Sequence, residues 1–153
     1  LLAKRQSNRE IDILLNSFRM AQRVGVIYTD TGSRALVKAV RNGGFVAILA
    51  DQYGGADSET VRFFGNEVLV PTGPAALILK YKLPLLFGAS RRAKDGRHFV
   101  KIELLTDWKG YDRRAVVQRY TDLLERAVRQ SPEMWLWTHR KFKNLTSYKG
   151  TDG

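Results

Sequence analysis

An acid that ends an apolar run is the first feature of this sequence that could do chemistry. Asp51 closes the run FVAILAD (45–51) and is followed by Gln52 and a loop that contains two glycines. Open α/β sheets bind their ligands beyond the carboxyl ends of their strands, beside such loops. Asp51 could therefore orient a basic partner or hold a substrate hydroxyl, and Gln52 could add a hydrogen bond. The structural alternative is that Asp51 caps the strand end or pairs with an arginine.

A second group of candidates lies in RFFG (62–65) and VPTGPAA (70–76). Phe63 and Phe64 are adjacent, so in an extended chain their rings point to opposite faces, and one can be core while the other lines a groove. Thr72 precedes a helix start, where free backbone N–H groups can bind an anion or a carbonyl oxygen. A plain turn into a helix is the alternative for Thr72.

The run PEMWLWTHRKFKN (132–144) places Trp135 and Trp137 directly before a cationic cluster. Three interpretations are open: an ordinary helix end, a stacking patch for nucleic acid, or a surface that meets lipid headgroups. Another candidate cation, Arg19, lies near the end of the first predicted helix, where a solvated arginine is the usual case.

The elements that must position these residues alternate between helices and strands. Helical spacing of apolar residues predicts helices near 9–20, 33–41, 74–82 and 113–130, and three of them have Asn8, Pro74 and Asp112 at their starts. In the last helix, Leu124 and Ala127 are among the residues predicted to face inward, and the charged residues are predicted to form a solvated face. The turn KDGR (94–97) separates two predicted strands, LPLLFGASR and HFVKIELL. In the first helix, Ile11, Leu14, Leu15 and Phe18 are predicted to face inward. Continuous apolar runs such as 45–51 are typical of strands that are buried on both faces. The pattern predicts an α/β fold with a mixed sheet flanked by helices.

Composition limits the possible functions further. The 153 residues suit one domain with a core, and the formal net charge of +11 favours polyanionic partners: nucleic acid, an anionic membrane or a phosphorylated substrate. The absence of cysteine excludes disulfides, zinc–thiolate sites and thiol catalysis. No apolar run reaches the roughly 18–20 residues that span a bilayer. No phosphate-binding loop, serine elbow or metal-ligand cluster is present.

Five segments, in this order, resemble the bacterial lipid A biosynthesis acyltransferases, the lauroyl and myristoyl transferases that complete the lipid A anchor. They are NREIDILLNSFRM, RNGGFVAILADQ, VRFFG, VPTGPAALILKYKLPLL and PEMWLWTHRKFK. The resemblance extends from about residue 4 to residue 143, and its most specific part is the signature from Pro132 to Arg140.

The resemblance implies a fold like that of the lysophospholipid and glycerolipid acyltransferases. It also implies transfer of an acyl chain from acyl-carrier protein, or acyl-CoA, to a hydroxyl of an anionic glycolipid, with no cofactor and no metal. Arg19 and Asp51 are expected to support the active site. The expected substrate-binding residues are Gln52, Arg62, Phe63, Phe64, Gly65 and Thr72. The residues expected to face the cytoplasmic side of the bacterial inner membrane are Trp137, His139, Arg140, Lys141 and Lys143.

The catalytic motif of the family, a histidine with an acid five positions on, precedes the region of resemblance. Glu103 lies five positions after His98, but inside a predicted strand, so we interpret that spacing as a coincidence. We therefore expect residues 1–143 to be the C-terminal part of one acyltransferase domain of a membrane-anchored protein, 144–153 to be a flexible tail, and the chain alone to be inactive. The alternatives are another acceptor, such as a phosphatidylinositol mannoside or a lysolipid, a basic nucleic-acid-binding module, or a non-catalytic homologue. For the acyltransferase itself, no nucleic-acid partner is expected.

Overall fold

The computed structural model describes residues 1–30, 33–49, 51, 57–138 and 141–142. The chain divides into two compact units, which we call unit 1 (residues 1–49) and unit 2 (residues 50–153). Both units combine helices with short strands, so the predicted α/β class is confirmed. The described strands pair as three two-stranded sheets instead of one mixed sheet.

Unit 1 contains strand β1 (Leu2–Ala3), helix α1 (Arg9–Ala21), strand β2 (Ile27–Tyr28) and helix α2 (Ser33–Arg41). The two strands are parallel and α1 connects them. Helix α1 begins after Asn8, whose side-chain oxygen accepts hydrogen bonds from the backbone N–H groups of Glu10 and Ile11. This cap satisfies two of the four N–H groups that have no partner inside the helix.

The predicted strand at 45–51 is wrong for the part of this run that the structure describes. Residues 45–49 form no strand, and the Ala47 carbonyl accepts one hydrogen bond, from Leu2 N at 2.9 Å. Phe45 is 90% exposed and Leu49 is 76% exposed. A strand needs a series of backbone partners, and β1 has only two residues to offer. Apolar composition alone therefore did not produce the strand.

Helix α1 also departs from the sequence prediction. Ile11, Leu14 and Phe18, which were predicted to face inward, are about half exposed or more. The half-buried side includes Asp12 and Asn16 instead. The polar residues lie there because they hydrogen-bond to Tyr28 of β2, a contact between distant parts of the chain.

The described part of unit 2 contains two antiparallel hairpins and two α-helices. Asp112 caps the longest helix by accepting the Ala115 N–H at 2.7 Å, as predicted. The elements are β3 (Ser58–Phe63), β4 (Asn66–Pro71), α3 (Gly73–Tyr81), β5 (Leu85–Arg92), β6 (His98–Leu105), α4 (Arg113–Gln130) and a 3₁₀ turn (Pro132–Met134).

The core of unit 2 lies between the β3–β4 hairpin and helices α3 and α4. Each fully buried apolar side chain there contributes about 1.5–3 kcal/mol of burial free energy. On α4, Leu123 and Thr121 are buried, whereas Leu124 and Ala127, which were predicted to face inward, are only partly buried. The core residues are Val61, Phe63, Val68, Val70, Ala75, Ile78, Val116, Val117, Tyr120 and Val128.

Among the described residues, no helix has both the length and the apolar composition that a membrane span requires.

Candidate functional site

The turn between β3 and β4 is strained. Phe63 pairs with Asn66 in the ladder, so Phe64 and Gly65 form a two-residue turn. Both have positive φ, +50° for Phe64 and +78° for Gly65, as a type I′ turn requires. Glycine adopts this conformation freely, but it costs a bulky side chain about 1–2 kcal/mol. The Phe64 ring must therefore gain contacts that offset the strain.

Helix α4 holds this turn in place. The Glu125 carboxylate accepts the Phe64 backbone N–H at 2.6 Å, and it also accepts two hydrogen bonds from Arg129, at 2.7 and 3.0 Å. The Arg129 guanidinium lies 4.6 Å from the centroid of the Phe64 ring, within the range of a cation–π contact. Burial raises the pKa of Glu125, but the Phe64 amide and Arg129 lower it by more, so the net pKa lies below its usual value.

A cluster of rings extends from the turn to the end of the described chain. We call it the Phe63 cluster: Phe63, Phe64, Trp135, Trp137 and Phe142. The Phe63 ring lies 4.8 Å from Phe64, 5.9 Å from Trp135 and 5.8 Å from Phe142, centroid to centroid. Phe64 and Trp137 are 6.3 Å apart. Such pairs add about 0.5–1.5 kcal/mol to the free energy of burial.

The cluster is buried at one end and exposed at the other. Phe63 and Trp137 mark the extremes, at 0% and 53% exposed. Phe64 is half-buried between them. Phe63 is therefore a core residue, as one of the two adjacent rings was expected to be. Phe64, Trp135 and Phe142 are all partly buried, so another molecule can reach part of each ring, and Trp137 is the most exposed ring of the cluster.

Arg62 lies beside the turn, whereas Thr72 lies at the opposite end of the hairpin, where β4 leads into α3. The Arg62 side chain is exposed, and its backbone N–H and C=O both bond to the Gln118 amide of α4, at 2.8 and 2.9 Å. Thr72 is only 1% exposed, and its hydroxyl has no hydrogen-bond partner among the described residues. Its side chain does not cap α3. Thr72 is thus a buried hydroxyl at a helix start.

Lys141 corrects one sequence prediction. It was expected to face lipid headgroups, but it is only 1% exposed and its Nζ lies 6.0 Å from the Phe63 ring centroid. Its neighbour Phe142 packs on Phe63, which draws this part of the chain into the core. Burial lowers the pKa of Lys141 to about 8, an effect that the exposed Asp51 carboxylate partly opposes. Asp51 therefore acts electrostatically on Lys141.

Arg19 belongs to a polar network in unit 1. Its guanidinium donates to the Asn16 side-chain oxygen at 2.7 Å, and the Tyr28 hydroxyl donates to Asp12 at 2.6 Å. The Gln6 amide and the Tyr28 hydroxyl lower the pKa of Asp12. The arginine is therefore held in position by its own helix instead of extending freely into solvent.

Four predicted site residues lie outside the described part of the chain: Gln52, His139, Arg140 and Lys143. The described residues contain no group of three or more histidine, cysteine or acidic side chains placed to hold a metal ion.

Comparison with known proteins shows to which family the chain belongs. The family model for bacterial lipid A biosynthesis acyltransferases matches residues 1–144. The chain belongs to this family. A comparison with individually curated proteins gives no significant match. The family is one of acyltransferases, so the resemblance noted in the sequence is confirmed, and the chain is part of an enzyme family.

For a lipid A acyltransferase, the pair His98 and Glu103 would have the spacing of the catalytic motif, but the structure separates the two side chains. Both residues lie on β6. Residues five apart on a strand point to opposite faces and are roughly 17 Å apart. Glu103 instead contacts Arg126 at 3.5 Å and Arg119 at 3.9 Å. The interpretation of this spacing as a coincidence is supported.

Sequence reasoning missed the residues of α4 that hold the strained turn. Gln118, Glu125 and Arg129 all lie on α4, and the charged residues of that helix were assigned to a solvated face. Glu125 and Arg129 have the i,i+4 spacing of a helical ion pair, which could have suggested that they bond to each other. Nothing local to the sequence indicates that Glu125 binds a backbone amide 61 positions away.

Proposed function

We propose that the protein transfers a fatty acyl chain from the thioester of acyl-carrier protein to a hydroxyl of a lipid A precursor. Family membership over residues 1–144 supports the reaction class. The observation that carries the proposed role of this site is Phe64, a partly buried phenylalanine held at φ +50° by Glu125 and Arg129. Strained, well-supported residues of this kind are concentrated at ligand-binding sites.

The proposed reaction forms one bond and breaks another. The hydroxyl oxygen of the acceptor attacks the thioester carbonyl carbon, the ester C–O bond forms, the C–S bond breaks, and the carrier thiol leaves. A general base takes the proton of the hydroxyl and returns it to the sulfur. We assign the base to a histidine–acid pair outside these 153 residues, because His98 and Glu103 are separated along β6.

The residues of this chain would bind and orient the substrates. Phe64 and Trp137 would contact acyl chains, and the exposed cations Arg62 and Arg129 would contact phosphate on the acceptor. Gly65 would permit the turn. Phe63 would support Phe64 from within the core.

The remaining predicted residues have proposed roles as well. Asp51 and Gln52 would hold the acceptor hydroxyl, and Arg19 would contact a phosphate or carboxylate. Thr72 was expected to bind an anion or carbonyl oxygen of the substrate, but its side chain is only 1% exposed and we assign it no substrate contact. Trp137, with His139, Arg140 and Lys143, would face the cytoplasmic side of the inner membrane, where tryptophan prefers the interface and cations meet phosphates. Acyl-CoA as donor, and another glycolipid or lysolipid as acceptor, are the alternatives within this reaction class.

Lipid binding by the purified chain tests the proposed role of Phe64. Replacing Phe64 with glycine removes the ring and relieves the strain, so the fold should be kept. Affinity for a lipid A precursor should fall about tenfold, the equivalent of losing roughly half of a buried phenylalanine. Phe45→Ala removes a ring that is 90% exposed in unit 1, and it should leave the affinity unchanged. Equal affinity of Phe64→Gly and the unaltered chain would refute the contact.

Turnover tests the placement of the base. The chain alone, supplied with acyl-carrier-protein thioester and acceptor, should form no ester above a heat-inactivated control. Ester formation would show that the base lies within these residues. Tight binding of a single-stranded oligonucleotide, with no binding of the lipid precursor, would instead favour a nucleic-acid module.

A further inference from the structure

An open cleft lies between the β5–β6 hairpin and the second half of α4. We call it the hairpin cleft; its volume is about 410 Å³, within the usual range for small-molecule sites. Alternation along the strands turns the odd-numbered residues of β5 and β6 toward this space. It shares no lining residue with the Phe63 cluster. Its lining residues all belong to unit 2.

The floor of the hairpin cleft is apolar and is left open by small side chains. Ala89 on β5 and Ala127 on α4 both line the cleft, and neither is large enough to fill it. Phe87 and the buried Leu123 complete the apolar surface. A floor of this kind fits an alkyl chain, because each methylene removed from water contributes about 0.8 kcal/mol.

The rim of the hairpin cleft is cationic. Arg91 stacks on Phe99, its partner across the hairpin, with the guanidinium 4.8 Å from the ring centroid. Neither Arg91 nor Lys101 makes an ion pair with any described residue. The third rim cation, Arg126, lies 3.5 Å from the Glu103 carboxylate, which also lies 3.9 Å from Arg119. The cleft therefore combines an apolar floor with two cations, Arg91 and Lys101, that form no ion pair with a described residue.

We propose that the hairpin cleft binds a single-chain amphiphile whose headgroup is a phosphate monoester. The alkyl chain lies on the apolar floor, and the phosphate is bound by Arg91 and Lys101. A phosphate monoester carries nearly two negative charges at neutral pH, so it matches two unpaired cations better than a carboxylate does. This inference is independent of the proposed acyl transfer, because it depends only on residues of the cleft.

Titration of the chain with dodecyl phosphate, kept below its micelle concentration, tests the proposal. Binding should be at least 100-fold tighter than that of inorganic phosphate, because the chain adds apolar burial. Shortening the chain from twelve to ten carbons should weaken binding about tenfold, the value of two methylenes. Dodecanol, which lacks the charge, should also bind more weakly than dodecyl phosphate. Equal binding of dodecyl and inorganic phosphate would overturn the assigned role of the floor.

Two variants with the same change in charge distinguish specific binding in the cleft from non-specific attraction of the anion to the positively charged chain. Replacing Arg91 and Lys101 with glutamine should weaken dodecyl phosphate binding roughly 100-fold, about tenfold for each lost contact. Replacing Arg92 and Lys94 of the same hairpin with glutamine also removes two charges but leaves the cleft intact, and it should change binding less than threefold. Equal losses in the two variants would overturn the proposal.

A third variant tests the cleft itself. Ala127→Leu adds volume to the floor at a helical position that tolerates leucine, so α4 should remain folded. Binding of dodecyl phosphate should be abolished, while the thermal midpoint stays within a few degrees of that of the unaltered chain. Unchanged binding in this folded variant would place the amphiphile elsewhere.

Discussion

Replacing Glu125 with alanine should destabilise unit 2 through the strained turn. The change removes the acceptor of the Phe64 N–H, a 2.6 Å hydrogen bond to a charged group, and the i,i+4 ion pair with Arg129. A hydrogen bond to a charged group contributes about 1.5–3 kcal/mol. The ion pair adds only about 0.3–0.5 kcal/mol, because the Arg129 side chain is 61% exposed. The free energy of unfolding should therefore fall by about 2–3 kcal/mol.

Urea unfolding followed by tryptophan fluorescence measures this change selectively. All three tryptophans, Trp108, Trp135 and Trp137, lie in unit 2, so the signal reports on that unit. A loss of 2–3 kcal/mol should lower the urea midpoint by roughly 1 M. Glu125→Gln keeps an acceptor oxygen but removes the charge, so its loss should be about half as large.

An exposed position on the same helix provides the control. Arg114→Ala on α4 should change the free energy of unfolding by less than about 0.5 kcal/mol. If Glu125→Ala lies within the same range as this control, the carboxylate does not hold the turn. The 2.6 Å contact would then contribute nothing measurable to the free energy of unfolding.

Three further predictions concern buried polar groups of unit 2. Burial lowers the pKa of Lys141 from 10.5 to about 8, so the unfolded chain binds more protons between these values. The free energy of unfolding should therefore rise by on the order of 3 kcal/mol from pH 8 to 10.5. Lys141→Met should abolish this rise. Urea midpoints measured across that pH range check both expectations. Thr72→Val should raise the free energy of unfolding by about 1 kcal/mol, because it removes a buried hydroxyl that has no described partner. A lower free energy of unfolding in urea titrations of this variant would show that the hydroxyl is bonded. Tyr120→Phe removes the 2.7 Å hydrogen bond to the Pro71 carbonyl and should cost about 1 kcal/mol, and an unchanged thermal midpoint would contradict that role.

Local sequence signals were enough to predict the helices and the second hairpin. Asn8 and Asp112 were predicted as N-caps, and both accept backbone N–H groups at helix starts. The segment KDGR was predicted as a turn, and it connects β5 to β6 with Gly96 at φ +85°. Caps and tight turns depend on residues within a few positions, so the sequence specifies them directly. The order of the five segments that resemble the lipid A acyltransferases was also enough to identify the family.

The tertiary structure alone decided how the candidate site is assembled. Phe64 was predicted in an extended chain, but it occupies a left-handed turn because Glu125, 61 positions away, binds its amide. Lys141 was predicted at a membrane surface, but it is buried because Phe142 packs on Phe63. Charge and hydropathy describe what a side chain prefers in water, whereas burial depends on which distant residues meet it. Those contacts form only in the folded chain, because they join residues that are far apart in sequence.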